Sequence, residues 1–238
     1  MAAPPAVLTL LATGDIAIEG QLIDASNLAL YCEVRADDEA MTCIYKPVNG
    51  ERPLWDFPDG TLAARETAAF LVSDELGWDV VPPTVLRDGP VGRGMVQQWI
   101  DVDETVDLLD LLHSVDDERL RRIAVYDAVV NNADRKGGHL LPTEDGRLFG
   151  IDHGVCFSAE DKLRTVLWQW RGLPLPADAC ADLSRLRRAL DGSLGAALAP
   201  LLTRAEIRAT RRRVDELLTT SVFPFPNGNW PAVPWPPI

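Results

Sequence analysis

Lysine is scarce in this chain. Only Lys46, Lys136 and Lys162 occur among 23 basic residues in 238, so arginine does nearly all the cationic work. Where a lysine stands, a compact charge on a flexible stem is the property that arginine cannot supply. The cysteines, Cys32, Cys43, Cys156 and Cys180, form no C-x-x-C pair, which excludes thioredoxin-like redox spacing and zinc-ribbon spacing and leaves them as buried free thiols. No apolar run approaches the ~20 residues of a membrane span. The apolar stretch Met1–Leu11 has no basic leader before it and reads as the approach to a first strand, not as a signal peptide. There is no Walker-type glycine loop and no internal repeat. The balance is strongly acidic, with a net charge of −13, which repels nucleic-acid phosphates and anionic lipid headgroups. These absences point to a cytoplasmic protein with no nucleic-acid partner and no strong membrane signal.

The length suits two lobes sharing a cleft, and the 47% hydrophobic share is that of an ordinary globular chain. Residues 1–100 read as a β-rich lobe. Strand patterns cover Asn27–Val34 and Met41–Lys46 across a polar turn, and another covers Met95–Ile100. Leu62–Leu76 has helical apolar spacing with Gly77 just past its end. Residues 101–222 turn helical. Ser114-x-x-Asp117 resembles a capping box opening a helix to Val130, Leu183–Leu198 is a further helix, and Thr203-x-x-Glu206 opens another to Leu218. Residues 223–238 are rich in proline and tryptophan and read as an irregular tail, with Trp230 and Trp235 laid in grooves or presented to a partner.

The most informative stretch runs from Asp127 to Gly154. It presents Asn132, Asp134, Arg135 and His139 in a turn-rich segment, then a short apolar strand, Leu148–Ile151, delivering Asp152-His153-Gly154. Two aspartates, one after a helix and one after a strand, suit metal-dependent phosphoryl transfer, in which one takes a hydroxyl proton and the other holds a divalent ion against phosphates. Lys46 closes an apolar strand and is placed to neutralise phosphates. Glu66, early in the Leu62–Leu76 helix, is placed to hold Lys46 extended, with Glu75 at the other end of the helix as its rival. Ser26 and Asn27, in a small polar loop, suit close backbone approach to phosphate. Gln97, Gln98 and Trp99 lie at the lobe junction, where an adenine would meet backbone hydrogen bonds.

Together these residues resemble the phosphatidylinositol 3-/4-kinase superfamily, nearest to the type II phosphatidylinositol 4-kinases and their small bacterial relatives. The pattern D-x-x-x-x-N-x-D-R-x-x-x-N followed by I-D-x-G is met by Asp127, Asn132, Asp134, Arg135 and Ile151-Asp152-His153-Gly154. Tyr45-Lys46-Pro47-Val48-Asn49-Gly50 and Val80-Val81-Pro82-Pro83-Thr84 are also similar. The resemblance spans residues 20–160. It implies an α+β, bilobed, atypical protein-kinase-like fold, with a β-rich N-lobe and a helical C-lobe. It implies ATP with Mg²⁺ or Mn²⁺, Asp134 with Arg135 and Asn132 as the catalytic group, Asp152 as metal ligand and Lys46 as phosphate-binding lysine.

His139 departs from the pattern, standing where the family has a metal-site asparagine. It ligates Mn²⁺, touches phosphate, or marks reduced activity. The expected function is transfer of the γ-phosphate to a hydroxyl on protein Ser/Thr or a small polar acceptor. The alternatives are a nucleotide-binding pseudokinase, a phosphoinositide kinase and an AMP transferase.

Overall fold

The computed structural model describes residues 5–23 and 27–238. Helix α1 (Pro5–Thr13) opens the chain. The expectation of an approach to a strand for Met1–Leu11 is therefore corrected over residues 5–11, and residues 1–4 lie outside the described residues. Val7, Leu10 and Leu11 recur at helical spacing and pack on Cys32, Val34, Cys43, Tyr45 and Val96 of the neighbouring sheet. Arg87 then donates to the carbonyls of Leu11 and Gly14, satisfying acceptors that the last helical turn leaves free.

Strands β1 (Asp15–Gln21), β2 (Leu30–Ala36) and β3 (Glu39–Pro47) follow. The turn between β2 and β3 is tighter than the polar run 35–40 suggests. Ala36 pairs with Glu39, so only Asp37 and Asp38 form the loop, and Asp37 takes a left-handed φ of 49°. Helix α2 spans Leu62–Leu76 as the periodicity predicts, and Gly77 ends it with φ 68°. Strands β4 (Thr84–Gly89) and β5 (Gly92–Gln98) complete a five-stranded antiparallel sheet in the order β1-β2-β3-β5-β4.

Beyond the sheet come α3 (Leu108–His113) and α4 (Glu118–Val130). Asp117 caps α4 through its side chain, whereas Ser114 ends α3, so the capping role expected of Ser114 is corrected. The hairpin β6 (Leu140–Pro142) and β7 (Leu148–Gly150) carries the Asp127–Gly154 stretch forward. The helix expected over 183–198 is two helices, α5 (Ala177–Leu190) and α6 (Ser193–Leu198), broken at Asp191-Gly192. Arg211 takes the carbonyl of Leu190 at that break. Helix α7 (Arg204–Thr220) begins at the Thr203/Glu206 capping box.

The largest apolar cluster joins α2 to α4, α5, α6 and α7 through residues such as Phe70, Leu76, Ile123, Tyr126, Leu183 and Val214. The fold is that of a bilobed kinase, a β-rich lobe over a helical one. Helix α2, although it belongs to the first half of the sequence, shares the core of the second. Residues 223–238 form no helix or strand. Trp230 stacks on Trp55 with ring centroids 5.7 Å apart, whereas Trp235 is 87% exposed, so its expected seat in a groove is corrected. Among the described residues no helix is long and apolar enough to cross a membrane.

Candidate active site

A cavity of about 330 Å³ opens between the lobes, lined among others by Asn27, Lys46, Glu51, Glu66, Asp134, Lys136, His139 and Asp152. Strand β3 delivers Lys46 near its end, with the flanking Tyr45 and Pro47 buried. One turn into α2, Glu66 faces it. Lys46 Nζ lies 2.8 Å from Glu66 Oε1 and 2.6 Å from Asp152 Oδ1. The second oxygen of Glu66, Oε2, accepts from the backbone N–H of His153 at 3.0 Å. Glu66 therefore ties the lysine strand to the segment that carries Asp152. Burial alone would push Lys46 down, but Asp152 and Glu66 outweigh it and hold the ammonium well above its usual range. The same ammonium holds the Asp152 carboxyl well below the usual carboxylate range. Asp152 itself takes a left-handed φ of 64°, which turns its side chain into the cavity off the end of β7.

Asp134 lies across the cavity on the loop after α4. Its backbone N–H donates to Asn132 Oδ1 at 3.0 Å, and Lys136 Nζ sits 3.3 Å from Asp134 Oδ2. Burial pushes the Asp134 carboxyl up, against the pull of Lys136. His139 turns its Nε2 toward Asp152 Oδ2 at 3.5 Å, while Nδ1 accepts the backbone N–H of Lys136. With Nδ1 accepting, a neutral imidazole carries its proton on Nε2, on the side of Asp152. Burial pushes the imidazole down to about 4, so it is neutral near pH 7. His139 therefore lines the cavity with its Nε2 beside Asp152, the residue expected to hold the metal.

Arg135 and Asn132 are each 0% exposed and neither lines the cavity, so they stand behind Asp134. Arg135 forks onto Asp127 at 2.9 and 3.0 Å and donates to the carbonyl of Ile151 at 3.0 Å. Its Nη2 also meets His153 Nε2 at 2.7 Å. Asn132 donates to Asp127 Oδ1 at 3.0 Å. The group is a strut beneath the cavity, binding the Asp134 loop to the Asp152 strand. Gly150 permits the close approach, since a Cβ there would stand 3.0 Å from Arg135 Nη2.

At the lobe junction the backbone N–H of Gln98 donates to Pro83 O, and that of Trp99 to Thr42 O. The buried Gln97 amide donates to Thr84 Oγ1. These donors are spent within the fold and none of the three residues lines the cavity. The backbone N–H groups of Gln98 and Trp99 are thus engaged within the fold. Asn27 lines the cavity and fixes the Arg52 N–H through Oδ1 at 2.8 Å, whereas Ser26 lies outside the described residues.

Glu51 was not singled out from sequence. Its carboxylate accepts from the backbone N–H groups of Leu62 and Ala63 at 3.1 and 2.8 Å, joining the cavity wall to the start of α2. Its position in the Lys46–Pro53 turn was the only signal, because the helix it caps begins eleven residues later. Among the described residues no cluster of three or more His, Cys, Asp or Glu forms a ready metal cage. Asp134 and Asp152 are hard oxygen donors on one cavity, which suits an ion held by two carboxylates and substrate phosphates.

Fold and site together define a kinase-like protein. The chain superposes on the Golgi casein kinase with TM-score 0.56 and 14% identity, covering 90% of this chain and 74% of that one. It superposes on the Helicobacter pylori proinflammatory kinase CtkA with TM-score 0.51 and 14% identity, covering 90% and 94%. No family model matches the sequence. The chain belongs to the same family as Protein Rv2133c of Mycobacterium tuberculosis, with which it is 46% identical over 95% of its own length and 93% of that protein's. Phosphatidylinositol 4-kinase gamma 4 of rice and of Arabidopsis thaliana are more distant. They are 28% and 30% identical over 47% and 46% of this chain, and 22% and 24% of their own lengths.

Proposed function

We propose that this chain is an ATP-dependent phosphotransferase that moves the γ-phosphate to a hydroxyl of a protein acceptor. The observation that carries this reading is the Lys46 ammonium bridging Glu66 and Asp152 across a cavity into which Asp134 also faces. A lysine locked by a helix carboxylate, beside a strand-end carboxylate, is the arrangement that phosphoryl transfer uses to position a triphosphate.

Each residue has a distinct part. Lys46 is the cation for the α- and β-phosphates, and Glu66 keeps it extended. Asp134 accepts the proton of the attacking hydroxyl as the oxygen–phosphorus bond forms. Its raised pKa brings it nearer to a useful base than an exposed aspartate. Lys136 stands beside Asp134 as a cation for the transferring group. Asp152 would hold the divalent ion, which when bound neutralises charge on the β- and γ-phosphates. Lys46 must loosen its direct pair with Asp152 when nucleotide enters, and the phosphates replace the carboxylate as its partner. His139 steadies Asp152, and the Arg135–Asp127–Asn132 strut fixes both loops.

A protein acceptor is favoured over a phosphoinositide because a net charge of −13 opposes anionic headgroups. A second reading, nucleotide binding without transfer, is favoured by one observation only, the direct Lys46–Asp152 pair that a metal must displace.

The test is intact-mass analysis after incubation with ATP and Mg²⁺ or Mn²⁺, with and without added protein acceptors. Phosphate transfer adds about 80 Da and AMP transfer about 329 Da. Transfer that survives in Asp134→Ala, or no transfer with either metal, would sink the proposal.

A further inference from the structure

The tail 223–238 differs in chemistry from the rest of the chain. From Val222 to Ile238 it holds no Asp, Glu, Lys or Arg, and no Ser, Thr or Tyr, in a protein that is 25% charged overall. It nevertheless makes specific backbone contacts next to Asp134. The Thr165 N–H donates to the carbonyl of Ala232 at 3.1 Å, and the Trp168 indole N–H donates to the same carbonyl at 2.8 Å. Farther on, the Gly137 N–H donates to Pro237 O at 2.8 Å. Thr165 is bridged in parallel to Arg135, and Gly137 lies three residues past Asp134. Residues 232–237 therefore cross the outer side of the loop that carries Asp134, a distance that five residues can span at up to ~17 Å.

The contact is shaped for a polypeptide. Gly137 lies between Leu112 of α3 and the tail's Ile238, to which an added Cβ would come within 2.8 and 3.4 Å. The prolines hold the segment extended at low entropic cost, while main-chain carbonyls supply the polar contacts. Trp230 fastens the segment. Its ring lies 4.8 Å from Lys162 Nζ, which also faces Trp55 at 5.5 Å and Phe57 at 5.4 Å and pairs with Asp56 at 3.2 Å. Lys162, one of the three lysines, is thus the pin of a latch between the 51–60 loop and the tail. No tail residue lines the 330 Å³ cavity.

We propose that the face formed by residues 135–137 and 164–168 is a groove for an extended, proline-rich, uncharged polypeptide, kept filled by the chain's own tail through the Trp55–Lys162–Trp230 latch. On the phosphotransfer reading, on which this part of the inference rests, the groove holds the acceptor. The tail is then an occupant with no hydroxyl to modify.

The test uses the full chain with Trp230→Ala or, independently, Lys162→Met, each checked for a folded spectrum. Amide exchange at Gly137 and Thr165 should rise by about tenfold, the size expected for losing a stacked aromatic and cation pair. A fluorescent peptide with the sequence of residues 226–238 should bind Trp230→Ala about tenfold more tightly than wild type, whereas Lys162→Met, which weakens peptide and tail alike, should show no such gain. Affinity for a fluorescent ATP analogue should not move, because the tail stands outside the cavity.

Unchanged exchange in both variants overturns the latch. Faster exchange in Trp230→Ala without tighter peptide binding to that variant overturns the groove. A third arm places an acceptor in the tail through Val233→Ser and Trp235→Ser. In a chain that phosphorylates any other protein, an 80 Da gain on either tail supports the acceptor role. No gain on both overturns it. In a chain that transfers nothing, the phosphotransfer reading fails, and the exchange and peptide arms alone decide the groove.

Discussion

Arg135 and Asp127 form an ion pair with both side chains fully removed from solvent. The guanidinium has three further engagements, with Ile151 O, with His153 Nε2 and, weakly at 3.5 Å, with His139 O. Substituting Arg135→Met keeps the volume near its original value but leaves the Asp127 carboxylate buried, with the amide of Asn132 and a hydroxyl contact from Thr165 at 3.5 Å. Removing one partner of a buried pair costs about 3–5 kcal/mol, most of it the desolvation of the charge left behind. At about 2–4 °C per kcal/mol for a chain of this size, the midpoint of thermal unfolding should fall by roughly 6–20 °C. Urea titrations at neutral pH would measure the same loss as a shift in midpoint at constant slope. The double variant Asp127→Asn/Arg135→Met removes both charges together, so it should cost less than the sum of the single variants by about 1.5 kcal/mol or more. A single variant within about 1 kcal/mol of wild type, or strictly additive costs, would refute the strut argument, because an uncompensated buried charge cannot be that cheap.

Two other predictions concern the cavity. Burial raises the Asp134 carboxyl pKa and Lys136 opposes the rise, so kcat should fall as pH drops through a value above 3.8. In Lys136→Met that acid limb should move to higher pH, and a limb that stays in place or moves down would break the link between Lys136 and the base. His139→Ala removes the N–H facing Asp152, and loss of such a partner typically weakens metal binding by about tenfold. The metal dependence of nucleotide binding would register this, and an unchanged dependence would restore a purely structural role to His139.

Much of this architecture is legible in sequence wherever the signal is local. Helix α2 shows its apolar period and its terminal glycine, and α7 shows a capping box whose two side chains are three residues apart. Lys46, Glu66, Asp134 and Asp152, picked from four separate segments, line one cavity. The features not legible there depend on partners far away in sequence. The apolar N-terminal run is ambiguous in isolation, and it is a helix because a sheet face and Arg87 receive it. The junction donors of Gln98 and Trp99 are spent on Pro83 and Thr42, pairings that no spacing announces. Arg135 carries a motif position, yet its burial against Ile151 and His153 is not written in that position.

One consequence of these long-range ties lies in two adjacent residues of α2. Glu66 turns toward the cavity and holds Lys46 and the His153 N–H. Arg65, one position earlier, turns the other way, donating to Cys156 O at 2.7 Å and to Glu206 of α7 at 2.5 Å while its guanidinium lies 4.9 Å from the Phe57 ring centre. Successive helical residues are about 100° apart, so one helix rotation sets both. Burial would raise the Glu206 carboxyl, but its bonds to Thr203 and Arg65 outweigh that and lower it, so the anchor is charged near neutral pH. A rotation of α2 that withdrew Glu66 from Lys46 would also pull Arg65 from Glu206 and break the ion pair between those two buried charges. The lysine is thus held in place by the packing of the helical lobe as well as by its own carboxylates, which explains why α2 shares its core with the second half of the chain.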